Sequence, residues 1–338
     1  MSVAALDTTD QLRKAWKDAH LAPLWESPTA HKPPPPPDPS YLWSWERVRP
    51  LIGRAIEVAN PAAVERRVLT LVNPTTRGPE DQATARTLSA ALQILLPGET
   101  ARPHRHSMNA IRFVLEGEGA LTIVDGKPCP MQFGDLILTP AWAWHEHAHH
   151  GSGPMIWLDA LDVPLHLWFG TAAFEAGPVR EMPPTLPDAA YAVANVAPEV
   201  TFASAHSPVF RYPYPDVVKA LGAAPRARDG ARRVRYINPV TGGAAMAIMD
   251  MHLMQVDREP TVPFRTNSNA VACVVEGRGE SRIGGDTVAW GPRDIFTLPQ
   301  GNWISHRGEG TARLFVVSDR DALARLGILR DEYGNSAN

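Results

Sequence analysis

The chain has 338 residues, of which 44% are hydrophobic and 20% charged, and a formal net charge of −3. This is the composition of a globular protein with one large or two ordinary cores, without the basic excess that nucleic-acid binding requires. No apolar run approaches the roughly 20 residues of a membrane span, and the first residues show no export signal. The two cysteines, Cys129 and Cys273, form no disulfide or zinc pattern. We therefore expect a cytoplasmic protein without nucleic-acid or membrane partners.

The first predicted elements are two helices separated by a proline-rich segment. Residues 9–20 place Leu12 and Trp16 on one helical face, and residues 45–60 also follow helical spacing. Between them, five consecutive prolines at 33–37 predict an extended polyproline conformation. We assign residues 1–65 to a short helical, proline-rich arm. Its aromatic residues favour packing on a neighbouring subunit over packing on the arm's own barrel.

From residue 67 the pattern changes to short strands bounded by Gly, Pro and Asp-Gly turn signals. The predicted strands in this region are 68–72, 89–96, 111–116, 120–124 and 136–139. Short strands at regular spacing indicate a sandwich or jelly-roll barrel. Residues 163–215 have little periodicity and predict a connecting segment, after which the strand pattern returns at 244–317. The fold class is therefore all-β.

The second β region repeats the first. EGEG at 116–119 matches EGRG at 276–279, and DLILTP at 135–140 matches DIFTLP at 294–299, with offsets of 160 and 159 residues. Such a recurrence indicates two copies of one fold. The predicted divisions are 1–65 for the arm, 66–170 for the first barrel, 171–240 for a connection, 241–320 for the second barrel and 321–338 for a tail.

Three histidines in the first copy have the spacing of a metal site. His104 and His106 are two residues apart on a predicted strand, so both point to the same face. His145 on a later strand can complete a facial set of three, and the Gly and Pro markers between them resemble the two cupin motifs. Imidazole suits iron, copper, zinc or nickel, so the metal stays open at this point.

The second copy lacks these donors. It has Phe264, Thr266 and Ile304 where the first copy has histidines, so we expect a metal-free barrel with a structural role. His306 aligns with His147, and without ligands beside it we interpret it as structural.

Cupins usually add a glutamate ligand a few residues after the paired histidines, but that position is Ala110. Three neutral imidazoles would leave Fe(II) with its full charge and open positions. This favours a substrate that brings anionic chelating oxygens, such as a 2-hydroxybenzoate of the salicylate type. Arg112, on the strand after the histidines, is a candidate to bind the substrate carboxylate.

A series of short blocks then runs in an order that is similar to that of the gentisate/salicylate 1,2-dioxygenase family. They are Q93-x-x-x-PGE at 97–99, HRH at 104–106, AIRFV at 110–114, EGEG at 116–119, VDG at 124–126, GD at 134–135, LTP at 138–140, WHEH at 144–147 and PMIWLD at 154–159. The resemblance implies two tandem cupin barrels and Fe(II) held by His104, His106 and His145. It also implies a homotetramer that uses O₂ to cleave the ring between the carboxyl- and hydroxyl-bearing carbons.

The resemblance implies roles for four further residues. Arg112 would bind the carboxylate, Gln93 and His147 would hydrogen-bond substrate or oxygen intermediates, with His147 a candidate acid/base, and Asp159 would orient the groups around them. Structural alternatives stay open: Gln93 satisfying a strand edge, His147 supporting the ligands, and Asp159 accepting a hydrogen bond.

Other positions depart from the family pattern. Ser89 stands where a bulky aromatic is frequent, and Asn109 belongs to an unusual 107–109 segment, so both are candidates to shape the pocket around ring carbon 5. His149 and His150 extend the histidine cluster, and we expect them in a solvent-facing loop. The substituent at carbon 5 (hydroxyl, hydrogen, nitro or halogen) stays open.

Two other functions compete with ring cleavage. A different metal-dependent cupin, such as a decarboxylase or isomerase, usually keeps the glutamate that Ala110 replaces. A non-catalytic ligand-binding cupin would have no need of three metal-ligating histidines and Arg112. The sequence therefore favours the dioxygenase.

Overall fold

A computed structural model describes residues 9–27, 36–59, 66–76, 83–179, 181–193, 196–200 and 204–334. The chain divides into a unit that ends at Pro36 and a second unit from Pro37 onward. In the first unit, helix α1 (Thr9–Asp18) precedes a 3₁₀ turn (Leu24–Glu26). Trp16 packs edge-to-face on Trp25 at 5.9 Å. The predicted first helix is thus present, whereas most of the predicted polyproline run lies outside the described residues.

The second unit contains two barrels, each made of a six-stranded and a five-stranded sheet. In spatial order, the six-stranded sheet of the first barrel contains β12 (Arg211–Tyr212), β8 (Leu136–Thr139), β5 (Ala110–Glu116), β10 (Met155–Leu161), β3 (Ser89–Leu95) and β2 (Arg67–Thr70). Its five-stranded sheet contains β11 (Phe174–Ala176), β4 (Thr100–His106), β9 (His145–His149), β6 (Ala120–Val124) and β7 (Lys127–Met131).

The second barrel has the same strand order. Its six-stranded sheet contains β1 (Leu42–Trp43), β19 (Ile295–Leu298), β16 (Ala270–Glu276), β21 (Ala312–Ser318), β14 (Asp250–Val256) and β13 (Arg232–Arg235). Its five-stranded sheet contains β22 (Asp331–Tyr333), β15 (Phe264–Thr266), β20 (Trp303–Gly308), β17 (Gly279–Ile283) and β18 (Asp286–Trp290). Among the described residues, the α-helices of the second unit are α2 (Trp45–Val58), α3 (Val163–Phe169), α4 (Tyr214–Ala223) and α5 (Arg320–Arg325).

The register of the strands matches between the copies. His104 pairs with His145 across β4 and β9, and Phe264 pairs with Ile304 across β15 and β20. The alignment of ligand positions made from the sequence repeat therefore holds in three dimensions. The predicted all-β fold of two tandem cupin barrels is confirmed.

The predicted domain limits need correction at the edges. β1 lies within the predicted arm, yet Leu42 and Trp43 pair with β19 of the second barrel. β12 lies in the predicted connection and completes the first barrel through β8. β22 lies in the predicted tail and pairs with β15. The edge strands of the barrels therefore come from segments that local periodicity assigns to the arm, the connection and the tail.

The two barrels share one continuous apolar core. Phe113 of β5 stacks on Phe315 of β21, with ring centroids 4.1 Å apart and planes 9° apart, and both side chains are fully buried. Burial of this much aromatic surface is a dominant source of stability. No helix among the described residues is both long and apolar enough to cross a membrane.

We predict that Phe315→Ala lowers the free energy of unfolding by about 3–5 kcal/mol, because it leaves a cavity beneath Phe113. Urea denaturation followed by circular dichroism measures this. Val58→Ala, at a position 76% exposed, is the control and should change stability by less than about 0.5 kcal/mol. A loss below about 1 kcal/mol for Phe315→Ala would contradict a shared core.

Candidate metal centre

The three predicted ligands meet inside the first barrel. His104 and His106 project from the same face of β4, and His145 lies opposite His104 on the paired strand β9. The candidate donor atoms of the three side chains all lie within 4.8 Å of one another. All three are buried, with at most 6% exposed.

Backbone hydrogen bonds set the tautomer of each ring. Nδ1 of each ligand histidine lies within hydrogen-bond distance of a backbone carbonyl two residues away. The distance is 2.9 Å for His104, 2.8 Å for His106 and 3.0 Å for His145. A carbonyl only accepts, so each Nδ1 carries the proton and each Nε2 is unprotonated. Among the described residues, the buried Nε2 of His145 has no hydrogen-bond partner.

The rings are neutral. Burial, with the nearby charge of Arg66, lowers the pKa of His104 to about 3. Burial lowers the pKa of His106 to about 4 and that of His145 well below its ordinary value. Three neutral imidazoles whose unprotonated nitrogens converge in a buried space fit a divalent transition metal.

Arg66 is a site residue that the sequence reasoning missed. Its Nη1 lies 2.8 Å from Nε2 of His104 and donates to that lone pair. Arg67, the next residue, instead binds Glu99. No local signal separates these two arginines, because the difference follows from the pairing of Val68 with Gln93 across β2 and β3.

A cavity of about 340 Å³ adjoins the histidines. Its lining residues are Arg66, Val68, Ala91, Gln93, His106, Ala110, Arg112, Asp159 and Leu161. The volume falls in the range of small-molecule sites. Three of the predicted substrate and catalytic residues, namely Gln93, Arg112 and Asp159, therefore line one space beside the metal ligands.

Arg112 and Asp159 form a buried charged pair across β5 and β10. Nε of Arg112 lies 3.5 Å from Oδ1 of Asp159, and Nε and Nη1 have no hydrogen-bond partner among the described residues. Trp157 Nε1 donates to Asp159 at 2.9 Å. Burial raises the pKa of Asp159 to about 6, although Arg112 opposes the shift, and burial lowers the pKa of Arg112. The site thus holds unsatisfied cationic donors.

His147 lies behind His145 on β9, with ring centroids 6.3 Å apart. Its Nδ1 contacts Oγ1 of Thr122 at 2.9 Å, whereas its buried Nε2 has no partner among the described residues. Burial lowers the pKa of His147 well below its ordinary value, so the ring is neutral.

Three expectations differ from the structure. Asn109 is not a cavity residue: its amide donates to Asp162 at 2.8 Å and accepts from the backbone of Ala141, so its role is to hold a loop. Ser89 begins β3, two residues before Ala91, but does not line the cavity. His149 is fully buried on β9 and contacts a backbone carbonyl at 2.6 Å, whereas His150 is exposed as expected.

Fold and site together define a bicupin with a three-histidine metal site in its first barrel. A family model described as a cupin domain matches residues 91–161. Gentisate 1,2 dioxygenase 1 of Aquipseudomonas alcaligenes is 37% identical over 323 residues, 92% of each chain. 5-Aminosalicylate 1,2-dioxygenase of a Comamonas species is 33% identical, over 96% of this chain and 90% of its own.

Among solved structures, the salicylate 1,2-dioxygenase of Pseudoaminobacter salicylatoxidans, as an adduct with gentisate, superposes with a TM-score of 0.87. It is 29% identical, and the match covers 98% of this chain and 95% of that one. The chain therefore belongs to the gentisate/salicylate 1,2-dioxygenase family of ring-cleaving dioxygenases.

We predict that His145→Gln abolishes stoichiometric metal binding, because it removes one of three converging donors. Metal analysis of purified protein by plasma mass spectrometry measures this. His306→Gln is the control, since His306 lies in the second barrel and should leave metal content unchanged. Full metal content in His145→Gln would place the metal elsewhere.

Proposed function

We propose that the chain is an Fe(II)-dependent dioxygenase that opens a 2-hydroxybenzoate between the carboxyl- and hydroxyl-bearing ring carbons with O₂. The observation that carries the proposal is the set of three neutral imidazoles, which no carboxylate of the described residues joins, beside a cavity that holds two arginines. Such a centre keeps its cationic charge for an anionic, chelating substrate. Fe(II), when bound, supplies the redox chemistry that a reaction with dioxygen requires.

Arg112 supplies the principal contact with the substrate carboxylate in this proposal. It is buried, and its Nε and Nη1 have no hydrogen-bond partner among the described residues. A buried guanidinium donor without a partner is costly, and a carboxylate satisfies it with charge-assisted hydrogen bonds. Arg66 lies in the same cavity and adds a second positive charge. Both arginines help to lower the pKa of the ligand His104, which marks the cavity as electropositive.

Gln93, His147 and Asp159 complete the proposed machinery. Gln93 is buried on β3 and lines the cavity, where its amide can bind the substrate or an oxygen intermediate. His147 is neutral. If its Nδ1 donates to Thr122, its buried Nε2 is unprotonated and can accept a proton from the substrate or an oxygen intermediate. Asp159 faces Arg112 and orients its guanidinium. Each of these roles acts on a substrate held by its carboxylate.

The rest of the cavity wall leaves room for a ring substituent. This part of the wall consists of small or apolar side chains that carry no charge, namely Val68, Ala91, Ala110 and Leu161. One similar protein carries gentisate in its name and another 5-aminosalicylate. We therefore propose that the enzyme accepts salicylates with different small groups at carbon 5.

A substrate panel tests the reaction. We predict that ferrous protein consumes one O₂ per molecule of at least one of gentisate, salicylate, 5-aminosalicylate, 5-nitrosalicylate or 5-chlorosalicylate, with a new ultraviolet band from the opened ring. Benzoate, which lacks the 2-hydroxyl and cannot chelate, is the control and should be inert. No oxygen uptake with any salicylate by iron-loaded protein would refute the proposal. Turnover with manganese or zinc without oxygen would favour a decarboxylase or isomerase.

Arg112→Lys tests the carboxylate contact. Lysine keeps the charge but loses the planar fork, so we predict that KM rises about 10- to 100-fold, the equivalent of about 1.5–3 kcal/mol of charge-assisted hydrogen bonding. Steady-state oxygen uptake measures KM and kcat separately. Arg307→Lys, at a half-exposed ion pair of the second barrel, is the control. An unchanged KM in Arg112→Lys would exclude this residue from substrate binding.

We also propose a cytoplasmic homotetramer. Its support is a set of exposed apolar side chains on and near the first barrel, a kind of surface that marks interaction sites, namely Trp142, Leu167, Trp168, Phe169 and Phe174. Both cysteines are buried and unpaired, as in a reducing compartment.

Sedimentation equilibrium tests the assembly. We predict a mass near four times the 36.9 kDa of the chain, because burial of the exposed aromatic surface favours association. Trp168→Lys, at a side chain 67% exposed, should weaken it, and Val58→Lys on α2 is the matched control. A monomeric wild-type protein at micromolar concentration would contradict the proposal.

A further inference from the structure

The second barrel has lost the metal ligands but has kept a cavity. Its volume is about 330 Å³, close to that of the first-barrel cavity. The strand registers relate the two linings position by position, so that Ala91 corresponds to His252 and Ala110 to Ala270. The remaining corresponding pairs that line both cavities are Val68 and Arg233, Gln93 and Met254, His106 and Thr266, Asp159 and Val316, and Leu161 and Ser318.

An open interior is unexpected in a barrel that serves only for support. Small barrels fill their interiors with side chains, and interiors pack to crystal-like density because unfilled space forfeits dispersion contacts. The second barrel instead combines an open space with charged groups on its wall. This arrangement suits a bound molecule better than a packed core.

Three arginines give the wall its polar character, and none has used all its donors. Arg233 binds Asp229 through Nη1 and Nη2. Arg320 binds Asp331 through the same pair of nitrogens, and its Nη1 also donates to Oγ1 of Thr266 at 3.2 Å. Arg235 binds Asp250 through Nε at 2.7 Å, and its terminal nitrogens make no hydrogen bond among the described residues. A guanidinium has five N–H donors, so capacity to bind an anion remains.

The cavity arginines act on two buried histidines. His252 makes no side-chain hydrogen bond among the described residues, and burial lowers its pKa to about 3, with Arg233, Arg320 and Arg235 lowering it further. Burial and Arg233 likewise lower the pKa of His306 to about 4, although Asp229 opposes this shift.

Another part of the wall is mainly apolar. Its side chains are Met254, Phe264, Leu298, Ile304, Val316 and Tyr333. Phe264 and Tyr333 contact each other at 5.1 Å and form an aromatic surface. A ligand that fits must therefore combine one negative charge with an apolar body.

We infer that the second barrel binds a small organic monocarboxylate, with its carboxylate toward Arg233, Arg235 and Arg320 and its apolar part against Phe264 and Tyr333. The site needs no metal, because Phe264, Thr266 and Ile304 occupy the ligand positions. It is a binding site and not a second reaction centre. The ligand is either an aromatic acid of the kind the first barrel turns over or an aliphatic acid of the same charge.

Equilibrium dialysis of the iron-loaded protein under argon tests this inference, with labelled salicylate and labelled hexanoate as probes. Wild-type protein should bind two equivalents of salicylate per chain. Ala270→Leu, which fills the second cavity, and the matched Ala110→Leu, which fills the first, should each bind one. Second-site binding of hexanoate would identify a general monocarboxylate site, and binding of salicylate alone would identify an aromatic one.

A second variant guards against misfolding of Ala270→Leu. Arg235→Gln alters a side chain that is 44% exposed, so the fold should survive, and we expect affinity at the second site to fall about 10-fold, as for loss of one charge-assisted hydrogen bond. One equivalent of salicylate with no bound hexanoate in the wild-type protein, or unchanged stoichiometry and affinity in both second-barrel variants, would overturn the inference. Loss of binding confined to Ala110→Leu would instead bear on the first barrel and its proposed function.

Discussion

The site depends on three hydrogen bonds that place a proton on Nδ1 of each ligand histidine. Each accepting carbonyl belongs to the backbone two residues from its histidine, so the local backbone in β4 and in the loops beside β4 and β9 fixes the tautomer. Burial then keeps the rings neutral at physiological pH, because it lowers their pKa values far below the ordinary range. Lone pairs that are fixed and unprotonated need little rearrangement to bind a cation, and the surrounding barrel supplies the rigidity that holds them.

The charged groups around this centre do not serve stability. Burial raises the pKa of Asp159 and lowers that of Arg112, which means that the interior disfavours both charged forms. The contact between them, at 3.5 Å without a hydrogen bond, offsets only part of the desolvation cost. Charged groups with shifted pKa values in a cavity are typical of functional sites. The geometry is therefore best understood as prepared for an incoming anion.

Much of this molecule could be predicted from the sequence because its signals are local. The spacing of His104, His106 and His145 and the internal repeat both depend on strand periodicity, and both held. Contacts set by pairing between distant strands could not be predicted. Arg66 reaches the site only because β2 pairs with β3. The side chain of Asn109 binds Asp162, which lies 53 residues further along the chain, and so does not line the cavity. The buried position of His149 likewise follows from its place on β9. The cavity of the second barrel is invisible to any comparison of ligand positions alone.

The edge strand β1 has a consequence for how the protein is made. Leu42 and Trp43 complete a sheet whose neighbouring strand, β19, ends at Leu298. At the usual speed of translation, roughly 5–20 residues per second, this segment leaves the ribosome on the order of 10–50 s before its partner. During that interval its backbone must stay unpaired or be shielded. The nascent chain thus carries an unpaired strand until synthesis of the second barrel supplies its partner.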